Sequence, residues 1–290
     1  MTGRAFIGTS GWRYAGWRGD FYPKGLVQRR ELEYAAERFD SVEINGSFYS
    51  LQRPTSFRAW AEQTPADFVF AVKGGRYITH MLRLQNADAA LGNFFASGVL
   101  ALGRRLGPVL WQLPARDVFD AARVEDFLAR LPRTTGQAAA VARGHDAKLK
   151  VEPVLDAEED LPIRHALEFR HVSWATDEAA ELLDRHGVSS VISDGAGQWP
   201  MIRRVTGDHV YVRLHGDTEL YFSGYSDASL EAWADELRGY LDGTGCPDGA
   251  PRDVYVYFDN DARGFAPWDA MTLRRMLADS TARPFYTPSA

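Results

Sequence analysis

Eight times along this chain a short apolar run ends in a cluster of polar or charged residues, and that recurrence limits the fold more than any other feature. The clearest instances are Val42-Glu43-Ile44-Asn45, Ala71-Val72-Lys73, Leu167-Glu168-Phe169-Arg170, Val212-Arg213-Leu214-His215 and Val256-Tyr257-Phe258-Asp259-Asn260. Each reads as a buried parallel strand that delivers polar side chains to a common rim, the layout of an α/β enzyme site. Strands are expected near residues 4–10, 41–45, 68–73, 108–113, 165–170, 189–194, 209–215 and 254–260. Helical patterns alternate with them. Gln28 to Phe39 places Leu32, Ala35, Ala36 and Phe39 on one face, and Thr55 to Gln63 follows Pro54, a helix-start signal. Ala87–Arg105, Ala121–Leu131, Asp177–His186, Ser229–Leu241 and Pro267–Ala278 complete the set. Alternating strands and helices imply a parallel sheet with right-handed crossovers. Eight units favour a closed (β/α)8 TIM-type barrel, because an open sheet would leave edges to protect. Residues 133–164 break the rhythm. They hold a helix around Thr135–Arg143 and a polar stretch with an acidic Asp156–Asp160 patch, read as a solvated excursion between helix four and strand five. The expectation is one α/β domain over residues 1–290.

A chain of 290 residues with 45% hydrophobic content suits one such barrel. No stretch approaches the roughly 18 apolar residues of a membrane span. Met1-Thr2-Gly3-Arg4 runs straight into a strand, and the single cysteine, Cys246, shows no metal or redox spacing. A soluble cytoplasmic protein is expected. Net charge is −6, which argues against extended nucleic-acid binding and leaves room for a local basic groove. Basic residues are lopsided, 29 Arg to 4 Lys, so each lysine is of interest, and Lys73 sits at a strand end.

Strand side chains alternate, which sorts the polar residues by face. Val42 and Ile44 oppose Glu43 and Asn45; Val212 and Leu214 oppose Arg213 and His215; Phe70 and Val72 oppose Ala71 and Lys73; Leu167 and Phe169 oppose Glu168 and Arg170. The bulky aliphatic face should meet the surrounding helices, so the polar face points into the barrel mouth. Burying Glu43, Lys73, Glu168, Arg170 and Arg213 there unpaired would cost several kcal/mol each. They must pair with one another, bind water or meet a ligand.

Taken together these residues resemble the YecE-like family of α/β-barrel proteins. The match runs through Gly8-Thr9-Ser10-Gly11-Trp12, Trp17-Arg18-Gly19-Asp20-Phe21-Tyr22-Pro23, Val42-Glu43-Ile44-Asn45, Phe48-Tyr49, Phe70-Ala71-Val72-Lys73 and Ile78-Thr79-His80. It continues through Gln112-Leu113-Pro114, Glu168-Phe169-Arg170-His171, Ser173-Trp174, Tyr211-Val212-Arg213-Leu214-His215-Gly216 and Tyr255-Val256-Tyr257-Phe258-Asp259-Asn260-Asp261. The resemblance implies the barrel fold and brings no reaction with it. Two positions depart from the pattern, Asp259 before Asn260 and Trp111 before Gln112.

Glu43 and Glu168 lie three strands apart in a ring of eight, the placement of a general acid facing a general base or nucleophile. Lys73, Arg170 and Arg213 ring the same space, and convergent cations point to an anionic group on the substrate. A Lys73 Schiff base is a further option. His215 is a candidate proton shuttle, His80 lies on a loop beside the mouth, and His171 is assigned a structural role on the outer face. Trp12 and Tyr49 are candidate substrate contacts, and Asn45, Gln112 and Asn260 candidate orienting amides. No metal site and no cofactor are assigned: His-x-His and His-Glu-x-x-His are absent, and a divalent ion among Glu43, Glu168, His215 and Asp194 would meet opposing Arg and Lys. The leading expectation is a hydrolase or lyase acting on a small anionic substrate with a sugar or nucleotide part. The alternatives are a metal-assisted phosphodiesterase or nuclease and a non-catalytic ligand-binding barrel. Substrate identity and oligomeric state are open.

Overall fold

A computed structural model describes residues 2–279 and places eight parallel strands in a closed barrel, in sequence order. The strands are β1 (Ala5–Ser10), β2 (Ser41–Ile44), β3 (Val69–Lys73), β4 (Leu106–Gln112), β5 (His165–Glu168), β6 (Val188–Asp194), β7 (His209–Leu214) and β8 (Asp253–Phe258). Pairing of β1 with β8 runs from Ala5 with Val254 to Thr9 with Phe258 and closes the ring. Its helices are α1 (Glu31–Ala36), α2 (Gly46–Tyr49), α3 (Pro54–Glu62), α4 (Asp88–Ala96), α5 (Ala121–Ala129), α6 (Thr135–Ala142), α7 (Asp177–Arg185), α8 (Asp227–Asp242) and α9 (Ala266–Asp279).

All eight expected strands are present, and the helices differ in informative ways. The pattern over 87–105 divides at Gly98, whose φ of 120° ends α4 and starts a 3-10 segment, Val99–Arg105. A Cβ at Gly98 would lie 2.6 Å from Pro54 Cα, so a side chain there would collide with the start of α3. The pattern over 28–39 begins as a 3-10 turn and ends with α1 at Ala36, leaving Phe39 buried beyond the helix. Two elements carry no clear periodicity, the short α2 and a π-helical turn over Tyr77–Met81.

The aliphatic faces of the strands do look outward. Val42, Ile44, Phe70, Val72, Val212 and Leu214 are buried between barrel and helices. Inside, a separate cluster of Phe6, Ala71, Leu110, Ala166, Val191, Tyr211, Tyr255 and Tyr257 fills the lower bore. Phe6 stacks on Tyr255 at 4.7 Å, and Tyr211 lies 5.2 Å from Tyr257. The barrel is therefore a packed core whose polar residues occupy only the upper layer.

Residues 133–164 form a packed strap along α4. Asn93 and Asp146 exchange two hydrogen bonds at 2.8 and 3.0 Å, and Val154 N donates to Ala96 O at 2.8 Å. The acidic patch is tied down as well: Arg143 holds Asp156 at 2.7 Å, and Arg104 holds Glu159. At its upper end the strap reaches the rim, where Lys148 Nζ donates to Tyr77 OH at 2.8 Å. Among the described residues no helix is long and apolar enough to cross a membrane, and Cys246 is a buried free thiol.

Gly8 shows how closely β1 and β2 approach. A Cβ there would sit 1.7 Å from the Ser41 carbonyl oxygen, a collision with rigid backbone. Gly8→Ala should destabilise the fold by about 2–4 kcal/mol in urea denaturation, beyond the usual range for a small substitution.

Candidate functional site

The upper layer is organised around one guanidinium. Arg213 leaves β7 fully buried and donates to Glu43 Oε1 at 2.9 Å, Glu43 Oε2 at 3.1 Å, Glu168 Oε2 at 3.0 Å and Asp259 Oδ2 at 3.1 Å. It also donates to Ser10 Oγ at 2.8 Å. Strand alternation explains the convergence, since Ser10, Glu43, Glu168, Arg213 and Asp259 are inward positions at or next to the ends of five strands. The planar fork suits such a cluster because it has five donors fixed in a plane.

Both glutamates are saturated. Glu43 accepts from Ser10 Oγ on Oε1 and from Tyr211 OH at 2.6 Å on Oε2, in addition to Arg213. Glu168 accepts from Arg170 Nε at 2.9 Å, Ser193 Oγ at 3.1 Å and Gln112 Nε2 at 2.8 Å. Each is fully buried. Burial pushes the Glu168 carboxyl up, but the guanidiniums of Arg170 and Arg213 outweigh it and hold the group well below the usual carboxylate range. The same balance holds Asp259 low, with Arg213 and His215 the opposing groups. Asp259 differs in exposure: its side chain is 21% exposed and faces the mouth.

Lys73 stands apart from this pairing. It is 7% exposed, and among the described residues no carboxylate lies within ion-pair distance of its ammonium. Nζ rests 4.3 Å above the Phe48 ring. Burial and the Arg213 charge lower its pKa from 10.5 to about 8, against the pull of Glu43, Glu168 and Asp259. His80, half-buried on the β3–α4 loop, packs edge-on to the same ring at 5.2 Å, and burial and the Lys73 charge lower its pKa too. His215 is fully buried; its Nδ1 makes a close but off-line contact of 3.0 Å with Asp259, and Arg213 Nη1 lies 3.4 Å from Nε2. Arg170 lies 3.8 Å over Trp199, whose indole N–H donates to Ser193 Oγ at 3.2 Å.

A family model described as "Protein of unknown function DUF72" matches residues 6–289. The chain belongs to the DUF72 family. It is 24% identical to the UPF0759 protein YunF of Bacillus subtilis (strain 168), with 94% of each chain covered. It is 32% identical to the UPF0759 protein YecE of Escherichia coli (strain K12) over 110 residues, 38% of each. A DUF72 crystal structure from Thermotoga maritima shares the fold with a TM-score of 0.73 and 24% identity, covering 95% of this chain and 99% of that one. One from Enterococcus faecalis does so at 0.67 and 14%, covering 94% and 95%.

The DUF72 barrel brings Glu43, Lys73, Gln112, Glu168, Arg170, Arg213 and His215 together in the mouth. Asn45 joins them through Nδ2, which donates to Ser10 Oγ at 2.8 Å, while its buried Oδ1 has no partner among the described residues. Trp12 lies outside the barrel wall, 5.3 Å from Trp60, and lines a separate cavity of about 280 Å³ that shares Asn45 and Tyr14 with the mouth. Tyr49 stands 72% exposed on the outer rim. Asn260 is fully buried and donates to Asp269 at 2.7 Å and the Ser223 carbonyl at 3.0 Å, tying α9 to the β7–α8 loop.

Three residues escaped the sequence reading. Asp259 continues the inward series Tyr255, Tyr257, so alternation alone could have placed it. Asp261 accepts from the Trp17 indole N–H, and burial with Asp259 nearby pushes its carboxyl up to about 7. Trp199 lies in the helix-free β6–β7 connection, where no periodicity points to it. Among the described residues no group of three or more His, Cys, Asp or Glu side chains is disposed to hold a metal ion. The carboxylates are instead directed at Arg213, and Asp194 accepts from Tyr225 OH at 3.1 Å.

Arg213→Met would strand three carboxylates and should cost about 3–5 kcal/mol in equilibrium unfolding. Arg213→Lys should recover little of this, because one ammonium cannot span all three. Lys73 gives a pH signature. Its folded pKa lies below 10.5, so the unfolded chain binds more protons between about 8 and 10.5, and wild-type stability rises with pH across that window. Relative to Lys73→Met, the gain should reach about 3 kcal/mol at most, read from urea midpoints at pH 7 and 10.5.

Proposed function

We propose that this DUF72 protein is a cytoplasmic enzyme whose active site is the barrel mouth. It is a hydrolase or lyase acting on a small substrate that carries a phosphate or carboxylate on a sugar or nucleotide part. One observation carries this reading: among the described residues, in a layer where every other buried charge is paired, the Lys73 ammonium has no carboxylate partner. An unpaired buried ammonium costs several kcal/mol, and an anionic ligand is the partner that would offset it. A pKa of about 8 leaves roughly a tenth of Lys73 deprotonated at pH 7, enough to take a proton or attack a carbonyl.

The saturation of Glu43 and Glu168 alters the roles first expected of them. Neither has an oxygen free to face a ligand, so both are positioning residues that hold Arg213 and Arg170. Asp259 is the carboxylate available to the mouth. The orphaned Asn45 Oδ1 suits a hydroxyl or ring N–H entering from the cavity beside Trp12. The same saturation supports a second reading, a barrel that binds such a ligand without turning it over.

Calorimetric titration with inorganic phosphate, then a panel of sugar phosphates and nucleotides, tests the site. Lys73→Met should weaken binding at least tenfold; unchanged affinity would end the assignment. Lys73→Arg should keep binding and abolish turnover if the mouth is catalytic. Wild-type binding with no turnover across the panel would favour the binding barrel.

A further inference from the structure

Charge is distributed unevenly around the rim. The four loops that follow β1 to β4, residues 11–30, 45–53, 74–87 and 113–120, hold nine Arg and Lys against three Asp. The four that follow β5 to β8, residues 169–176, 195–208, 215–226 and 259–265, hold four basic residues against five acidic ones. A chain of net charge −6 therefore carries a strongly positive arc over one half of its mouth.

Of these cations, Arg18 pairs with Glu31 and Arg30 with Glu33, and five other arginines do not pair. Arg13, Arg53, Arg76, Arg83 and Arg116 are all exposed, and none has an ion-pair partner among the described residues. Several arginines elsewhere on the surface are neutralised, as Arg185 is by Glu125, Arg203 by Glu236 and Arg274 by Asp40, whereas Arg58, Arg263 and Arg275 stand singly rather than gathered on one rim. The strap over 133–164 adds Lys148, which it lays 4.7 Å above the Tyr77 ring. Two flat side chains share these loops: Tyr49 is 72% and Tyr77 38% exposed. The loop bearing Arg76 and Arg83 is held in unusual backbone, a π-helical turn followed by positive φ at Arg83, Leu84 and Asn86, with Leu84 fully buried as an anchor. Such strain persists only where surrounding packing over-determines it, and it fixes where these side chains leave the loop.

We propose that the arc over β1 to β4 binds a single strand of nucleic acid and feeds one nucleotide into the mouth. This rests on the mouth reading above and narrows its substrate to a nucleotide within a strand. Guanidiniums and exposed rings on the same loops match the phosphates and bases of a strand, the former by charge and the latter by stacking. A duplex fits poorly, because Lys73 lies below the rim at 7% exposure, where only an unstacked nucleotide can reach.

The test is fluorescence anisotropy of full-length protein with a labelled 12-nucleotide oligothymidylate, its oligouridylate counterpart and a duplex, at several salt concentrations. The single strands should bind and the duplex at least tenfold more weakly. Arg53→Ala/Arg76→Ala/Arg116→Ala should weaken binding at least 30-fold at low salt and lower the slope of log K against log salt by about 2, while Arg185→Ala/Arg203→Ala/Arg274→Ala changes affinity less than about threefold. No oligonucleotide binding by the wild type, equal losses in both triple variants, or equal competition by inorganic polyphosphate would overturn the proposal. The two readings fail separately. Phosphate binding at Lys73 without strand binding ends the arc alone, whereas strand binding with phosphate affinity unaffected by Lys73→Met ends the mouth reading.

Discussion

The upper half of this barrel depends on the Arg213 guanidinium and the three carboxylates it bridges. Removing one arginine and three acids from water is unfavourable unless their geometry is close to ideal and every remaining lone pair is met. For the two glutamates it is met: Ser10, Tyr211, Gln112, Ser193 and Arg170 take the carboxylate positions that Arg213 does not. The contributing residues come from most of the ring, so the network also fixes strand register around the mouth. Below it the tyrosine-rich plug keeps water from entering through the bore, and Tyr211 joins plug to network through its hydroxyl.

Such a network has a consequence for chemistry. Carboxylates saturated by fixed donors are held ionised and are poor proton carriers near neutral pH. Two inward glutamates on opposite walls invite comparison with the paired carboxyls of glycosidases, yet here they face a guanidinium and each other's ligands. Reactivity passes to Lys73, buried with no carboxylate partner among the described residues, to the partly exposed Asp259 and to the raised carboxyl of Asp261. Lys73 in particular feels the Arg213 charge directly, so the residue that stabilises the mouth also makes its lysine more acidic.

Much of this was legible in the chain. Alternation in β2, β3, β5 and β7 placed Glu43, Lys73, Glu168 and Arg213 on the inner face, because a one-residue change of register would expose every aliphatic neighbour. The barrel followed from eight repeated units. What alternation cannot supply is who pairs with whom across the ring, so the capture of both glutamates by Arg213 was not visible. Alternation is equally silent on Trp12: Gly11 adopts a φ of 88° and turns the chain off β1, so the parity that puts Ser10 inside ends before it. Trp199 and the π-helical turn at Tyr77 lie in connections whose shape is set by tertiary packing, as with Gly195, where a Cβ would strike the Trp199 ring at 2.2 Å.

The central claim is that Lys73, among the described buried charges of the mouth, is the one without a carboxylate partner and is therefore depressed and receptive to an anion. With only four lysines in the chain, side-chain NMR of dimethylated or isotope-labelled lysine resolves each titration. The account predicts one lysine, removed by Lys73→Arg, that titrates near 8 and moves upward when phosphate is added. Four lysines titrating together near the ordinary value of about 10.4, with none responding to phosphate, would contradict it.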